Sequence, residues 1–424
     1  MMARLDSAGW LSAPDAADAD LVVVNSCGFI ESAKRESINA VLEWRRSYPD
    51  KKILLAGCLA QRYKKELAES LPEADGFFGT DDVSKIADAV SALDFDEGNL
   101  GEIPGRDCAA PTGSRPLLSP PGSAYVKISE GCSHACSFCA IPLIRGSMKC
   151  RAAEDILDEC RRLLARGIGE LCVVGQDICS YRSGGFGLGE LLRAIGEIPG
   201  DFWVRLLYLH PDNFPPGILD LMENDRRFLP YFDFPFQHGS AGILSAMNRH
   251  GTSESYLAMT ETIRSRLPAA VIRTTFLVGF PGETESDFAA LVDFQEKLRP
   301  DWLGCFAYSR EEGTASYGMK GRVSKRTAGE RKREIEQRQV AITERNMERF
   351  VGQTLDVLLE EKLSGESGRA DFWLGRLYCH APEVDGAAVV VGDTGDAAKA
   401  GAVLPCRVAA RRGFDLEVGL NPAE

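Results

Sequence analysis

AYVKISEGCSHACSFC, residues 124–139, joins a short apolar run to three cysteines spaced as C-x3-C-x2-C. The run 124–129 reads as a buried strand, and Gly131 to Cys139 as the loop that follows it. Three thiolates at this spacing can hold three irons of a cubane cluster and leave the fourth iron without a protein ligand. An open metal position is where a substrate coordinates, as at a catalytic zinc. The rival reading is a structural zinc site on Cys132, Cys136, Cys139 and His134. His134 lies too close along the chain to close a good tetrahedron, which weakens it. A disulfide reading is weaker still.

Outward from this stretch, apolar runs alternate with helical patterns. After 124–129, further strands are expected at ELCVVG (170–175), FWVRLLYL (202–209), YFDFPF (231–236), VIRTTFLVGF (271–280) and WLGCFAYS (302–309). Six strand–helix units imply a βα barrel, complete or partial. Upstream, DADLVVVNSC (18–27) and KKILLAGC (51–58) read as strands ending at Cys27 and Cys58, with a helix over 31–47 between them. Strands alternating with helices imply a parallel sheet, whose reactive groups gather at the carboxyl ends of the strands. Residues 96–122 are rich in Gly, Pro and Ser and read as a linker. A charged helix is expected over 325–350, followed by five short strands with Gly-rich turns that suggest a small all-β, OB-like barrel. The fold class is therefore α/β, divided into an N-terminal parallel domain (1–95), a barrel domain (123–345) and a β domain (346–424).

Composition narrows the class. Of 424 residues, 44% are hydrophobic and 26% charged, values that exclude a disordered or collagenous chain. No apolar run reaches the length of a membrane span, and MMARLDSAGW lacks the basic start and apolar core of a signal peptide, so a cytoplasmic protein is expected. Forty-nine basic against 62 acidic residues leave a charge of −13, the opposite of the bias that carries a broad nucleic-acid surface. Thirteen cysteines in a reducing compartment are metal ligands or small buried hydrophobes rather than disulfides. Cys172 and Cys305 lie in apolar strands and read as core. Cys150 and the histidines His210, His238 and His250 carry no strong signal, and Glu311 and Glu312 read equally as a family motif or as a solvated charge pair.

The cysteine triplet, with aromatic Phe138 before the third cysteine, resembles the radical S-adenosylmethionine superfamily. That resemblance implies catalytic and metal-ligating roles for Cys132, Cys136 and Cys139. It also implies contacts to S-adenosylmethionine from Phe138, from Gly175 and Gln176 after the second barrel strand, and from Gly279 and Glu283 after the fifth. Taken whole, the chain resembles the methylthiotransferase family over nearly all its length. NSCGFIESAKRESI (25–38), GCLAQRYKKEL (57–67) and FFGTDD (77–82) resemble the family's N-terminal domain, in which Cys27 and Cys58 match two of three ligands of an auxiliary cluster. The last segment resembles the TRAM substrate-recognition barrel. The implied cofactors are two 4Fe-4S clusters and S-adenosylmethionine, with a reduced flavodoxin- or ferredoxin-type electron donor.

Within that family, VRLLYLHPD (204–212), PFQHGSAGILSAMNRHG (235–251), RTTFLVGFPGETESDF (273–288) and YSREEGTAS (308–316) look most like the branch that modifies protein twelve of the small ribosomal subunit. The implied reaction adds a methylthio group to the β-carbon of an aspartate, an unactivated position that calls for radical chemistry. From Val351 to Glu424, seven Lys/Arg stand against twelve Asp/Glu. Such a segment repels phosphate and attracts a basic ribosomal protein. Transfer RNA, the substrate of a sister branch, is disfavoured by this charge. A non-catalytic ribosome-binding protein with vestigial clusters is the other rival, and the intact triplet speaks against it. The chain is expected to act as a monomer, without a membrane partner. The family carries a further strand and cysteine upstream of MMARLDSAGW that this sequence lacks, and the expectation is a misplaced start or a truncated chain. Cys108, in the linker, is a poor substitute.

Overall fold

The computed structural model describes residues 1–80, 82–93, 117–363, 372–392 and 398–420. Most of the expected linker, Cys108 included, lies outside the described residues. The chain divides into two compact units. One gathers Met1–Pro116, Ser129–Arg151 and Ser309–Gly318; the other gathers Leu117–Ile128, Ala152–Tyr308 and Met319–Glu424.

In the first unit, β1 (Leu21–Ser26), α1 (Glu31–Ser47), β2 (Lys52–Gly57), α2 (Cys58–Ser70) and β3 (Gly76–Phe78) form a parallel sheet in the order β1-β2-β3. The β-branched run of β1 suits a strand. Ile53, Leu54, Leu55 and Ala56 of β2 are all buried, as a parallel strand covered on both faces requires. Ile53 and Leu55 pack with Val41, Leu59 and Leu67, whereas Leu54 and Ala56 pack with Phe78, Ile86 and Val90. β1 and β2 run in register to Ser26 opposite Gly57. Cys27 therefore opens the loop after β1, and Cys58 is the first residue of α2 rather than the last of a strand. Gly57 makes that turn at φ +108°, where an added Cβ would stand 2.6 Å from the Ser26 carbonyl oxygen.

The second unit contains β4 (Ser123–Lys127), β5 (Glu170–Val174), β6 (Trp203–Leu206), β7 (Phe228–Gln237), β8 (Val271–Val278) and β9 (Trp302–Ala307). They pair in chain order, every pair parallel, as an open six-stranded sheet. The partial form of the expected βα barrel is thus the one observed. Phe232, Phe234, Phe236 and Phe276 of its strands pack with Phe294 of the helix Glu285–Leu298 through stacked, tilted and edge contacts. The helix α3 (Lys325–Glu348) buries Ala328, Arg331, Ile335, Gln339, Thr343 and Met347, a stripe at three- and four-residue spacing.

β10 (Thr354–Leu363), β11 (Phe372–Arg376), β12 (Ala388–Val391), β13 (Val403–Arg412) and β14 (Asp415–Leu420) close into a barrel in the order β10-β11-β12-β14-β13. This barrel shares one core with the six-stranded sheet: Trp203, Tyr231 and Trp302 pack with Trp373, Leu377 and Cys379. A buried charge network joins the same parts. Glu170 accepts from Arg205 Nε (2.7 Å), Arg376 Nη2 (2.5 Å) and Ser123 Oγ (2.7 Å). Burial pushes its carboxyl up, but the two guanidiniums overcome that and hold it at about 2.

Candidate functional site

All five cysteines expected to ligate iron fall in the first unit. Cys27 is exposed, while Cys58, Cys132, Cys136 and Cys139 are half-buried. The triplet sits in a loop tied at its neck by the antiparallel pairs Ser129–Cys150 and Glu130–Lys149. Cys132 N–H donates to the Gly146 carbonyl (3.2 Å), Cys139 N–H to the Cys136 carbonyl (3.0 Å), and Met148 N–H to Ser133 Oγ (3.2 Å). Gly131 turns the chain at φ +76°, where an added Cβ would meet the Ser147 and Gly146 carbonyl oxygens at 2.5 and 2.7 Å. Phe138 is half-buried, and Cys150 forms part of the neck.

The loop that Cys27 opens lies against the start of α2: a Cβ on Gly28 would lie 2.6 Å from the Cys58 carbonyl oxygen. Arg145, six residues after the triplet, reaches Cys58. Its Nη2 donates to Cys58 Sγ at 3.1 Å, and its Nη1 pairs with Glu130. The signal for Arg145 was a single basic residue inside the apolar IPLIRG that follows the triplet.

Three thiols carried by one loop are the donor type that an iron–sulfur cluster takes, one thiolate to each iron. Among the described residues, no three Cys, His, Asp or Glu side chains gather as a single ion requires.

Glu311 corrects the solvated-pair reading. Its side chain is 2% exposed, accepting from Arg62 Nη1 (2.8 Å), Lys34 Nζ (3.0 Å) and Ser309 Oγ (2.7 Å). Glu312 alone is exposed. Burial by itself would lower the Lys34 ammonium pKa, but the Glu311 carboxylate raises it.

The remaining candidates lie in the second unit. Gly175 is buried and Gln176 half-buried after β5, and Gln176 Oε1 is a buried acceptor with no hydrogen-bond partner. An orphaned acceptor suits an ammonium donor such as that of S-adenosylmethionine. Gly279 (φ +76°) lies against α3, where an added Cβ would meet Ala328 Cβ at 2.5 Å. Glu283 turns inward: its carboxylate accepts from Gly279 N–H, from Phe280 N–H (3.0 Å) and from Arg331 Nη1 (2.9 Å). His238 accepts from Ser240 N–H at Nδ1 (2.9 Å), so its proton is on Nε2, 4.0 Å from Glu283. Burial lowers its pKa to about 4 and keeps it neutral. His210 pairs with Arg249 Nη1 at 2.9 Å, and His250 is exposed. Cys172 and Cys305 are buried core residues, as expected.

Comparison with known proteins gives this geometry its family. Residues 1–79 match the uncharacterized protein family UPF0004, residues 126–294 the radical SAM superfamily, and residues 351–419 the TRAM domain. The chain is 43% identical to the ribosomal protein uS12 methylthiotransferase RimO of Treponema denticola, over 97% of this chain and 95% of the relative. It is 38% identical to the protein of the same name from Aquifex aeolicus, over 98% and 92%. Among solved structures it resembles TsrM, a radical S-adenosylmethionine methyltransferase from Kitasatospora setae described with cobalamin and a [4Fe-4S] cluster bound. The TM-score is 0.52 at 18% identity, covering 71% of this chain and 66% of that one, a likeness of fold alone. With such identity along almost its whole length, the chain belongs to the family of ribosomal protein uS12 methylthiotransferases and is a radical SAM enzyme.

Proposed function

We propose that the chain adds a methylthio group to the β-carbon of an aspartate of ribosomal protein uS12. In this reading Cys132, Cys136 and Cys139 hold the radical cluster, and Cys27 and Cys58 supply ligands of an auxiliary cluster. The observation that carries it is the reach of Arg145 from the triplet loop to Cys58 Sγ, 3.1 Å, which joins the two cysteine sites within one unit. When bound, the clusters and S-adenosylmethionine supply the radical and the sulfur that an unactivated carbon requires.

The chain's own residues hold, orient and select. The tied neck at Ser129–Cys150 and the turn at Gly131 present the three thiols on a fixed loop. Arg145 places a fixed, positively charged hydrogen-bond donor against Cys58 Sγ. Gln176 Oε1 offers its free acceptor to the methionine ammonium. Glu283 fastens the turn at Gly279 and Phe280 and so fixes the backbone that the nucleoside would meet. The acidic C-terminal barrel favours a basic protein over transfer RNA. A reduced flavodoxin- or ferredoxin-type protein would deliver electrons to a monomeric enzyme. Among the described residues no helix is long and apolar enough to cross a membrane, and a cytoplasmic site of action suits a ribosomal substrate.

The test is to delete the gene, complement it with this chain and weigh uS12 and digested transfer RNA. Loss and recovery of the methylthio increment on uS12 is expected; an increment that follows transfer RNA overturns the substrate. Replacing Cys132, Cys136 and Cys139 by Ala is expected to abolish 5′-deoxyadenosine formation, and persistent formation overturns the assignment of the triplet.

A further inference from the structure

The segment Ser309–Gly318 bonds to Lys34 and Arg62, on the helices that follow Cys27 and begin at Cys58, and to Ser137 in the triplet loop. Glu311 is its anchor. Arg62, on α2 four residues past Cys58, donates through Nη1 to Glu311 Oε2 (2.8 Å) and to the carbonyl of Gly28 (2.9 Å), the residue after Cys27. Its Nη2 donates to the Glu312 carbonyl at 2.7 Å. Lys34 of α1 closes on the same carboxylate at 3.0 Å, and Glu31 N–H reaches Ser309 Oγ at 3.4 Å. One buried carboxylate thus binds the loop after Cys27 to the helix that begins with Cys58.

The other end of the segment reaches the triplet. Thr314 Oγ1 donates back to the Glu311 carbonyl at 2.7 Å and folds the segment into a compact turn. Two residues on, Ser316 N–H donates to the carbonyl of Ser137, between Cys136 and Cys139, at 2.8 Å. Between them Gly313 (φ +77°) lies against Leu143, with an added Cβ only 3.0 Å from Leu143 Cδ1. Sulfur can reach a carbon radical only if the two sites stand at a set separation, since reacting atoms must come within van der Waals reach.

We propose that Glu311 is a positioning residue which, through Arg62 on one side and the turn to Ser316 on the other, fixes the spacing between the Cys27/Cys58 site and the Cys132/Cys136/Cys139 site. This rests on the reading that both sites carry clusters. The carboxylate touches no substrate. Its work is to keep two guanidinium donors of Arg62 aimed at Gly28 and at the segment itself, where a neutral side chain would take the carboxylate partner from the buried Arg62 and leave Lys34 with Glu31.

The test compares the wild-type holoenzyme with Glu311→Gln. Three measurements are made: amide exchange of Cys27–Ile30 in the metal-free protein, the magnetic coupling of the two reduced clusters by electron paramagnetic resonance, and methylthio product per 5′-deoxyadenosine. Expected are exchange at least tenfold faster at Cys27–Ile30, altered coupling, and a product ratio at least tenfold lower while deoxyadenosine still forms. Should Glu311→Gln fail to fold, Arg62→Lys keeps a cation for Glu311 but lacks the fork that spans Gly28 and Glu312, and the same changes are expected. Wild-type exchange, coupling and ratio in the folded variant overturn the proposal. A wild-type enzyme that takes up no second cluster overturns the two-cluster reading and this proposal with it, a failure recognised before any variant is made.

Discussion

Replacing Glu170 by Gln should destabilise the second unit by about 3–5 kcal/mol at pH 7. Glu170 is fully buried, and its partners Arg205 and Arg376 are 0% and 2% exposed. The amide keeps the shape and loses the charge, so Arg205 stays in the interior without its anion and Arg376 keeps only Glu360. Breaking a buried pair from one side costs about 3–5 kcal/mol. The depressed carboxyl gives a figure of the same order. The carboxyl is held at about 2 against 4.5 in a solvated chain, and a gap of this size is worth about 3 kcal/mol at ~1.4 kcal/mol per pH unit. Because the folded value is depressed, this stability is complete above about pH 4.5, declines as pH falls below that and is gone once pH has fallen through about 2. Urea unfolding followed by tryptophan fluorescence is suitable, since Trp203, Trp302 and Trp373 all pack in the core beside this network. A loss below about 1 kcal/mol at pH 7, or a wild-type protein that already loses this increment between pH 6 and 5, would refute the reasoning.

Two further outcomes follow from the sites. Gly131→Ala should cost about 1–2 kcal/mol for its left-handed backbone and displace the triplet loop, because the added Cβ meets carbonyl oxygens at 2.5 and 2.7 Å. Iron bound per chain after anaerobic reconstitution checks it, and unchanged iron content contradicts it. Gln176→Ala should weaken S-adenosylmethionine binding about 10- to 100-fold, the range for one hydrogen bond from a charged donor. Equilibrium dialysis measures this, and affinity within twofold of wild type removes Gln176 from the site.

The triplet was legible because its information is local: three cysteines and a glycine within nine residues carry both chemistry and turn. The strands β1, β2 and β4–β9 were legible from apolar runs, although Cys58 moved from the end of a strand to the start of a helix. Hydrophobicity marks the sheet, but Gly57 decides where the chain turns. Glu311 was not legible, since adjacent Glu311 and Glu312 are chemically identical, and the cations that pair with the buried one, Arg62 and Lys34, lie 249 and 277 residues away. Glu283 looked like a ligand contact because its motif closes a strand. Its carboxylate is consumed by two backbone N–H groups and by Arg331, a partner 48 residues downstream that no local pattern announces.

The division of the first unit among three stretches of chain has a consequence for biosynthesis. Cys27 and Cys58 leave the ribosome with β1 and β2, yet the carboxylate that fixes their loops belongs to a stretch made much later. At about 5–20 residues per second, the 249 residues between Arg62 and Glu311 take roughly 12–50 s to translate. Throughout that interval the nascent chain holds two cysteines on a finished sheet without their counter-segment, and the triplet emerges partway through it. Iron delivered during that interval would meet an incomplete unit, so loading of the metal sites is expected to follow synthesis of the segment that carries Glu311.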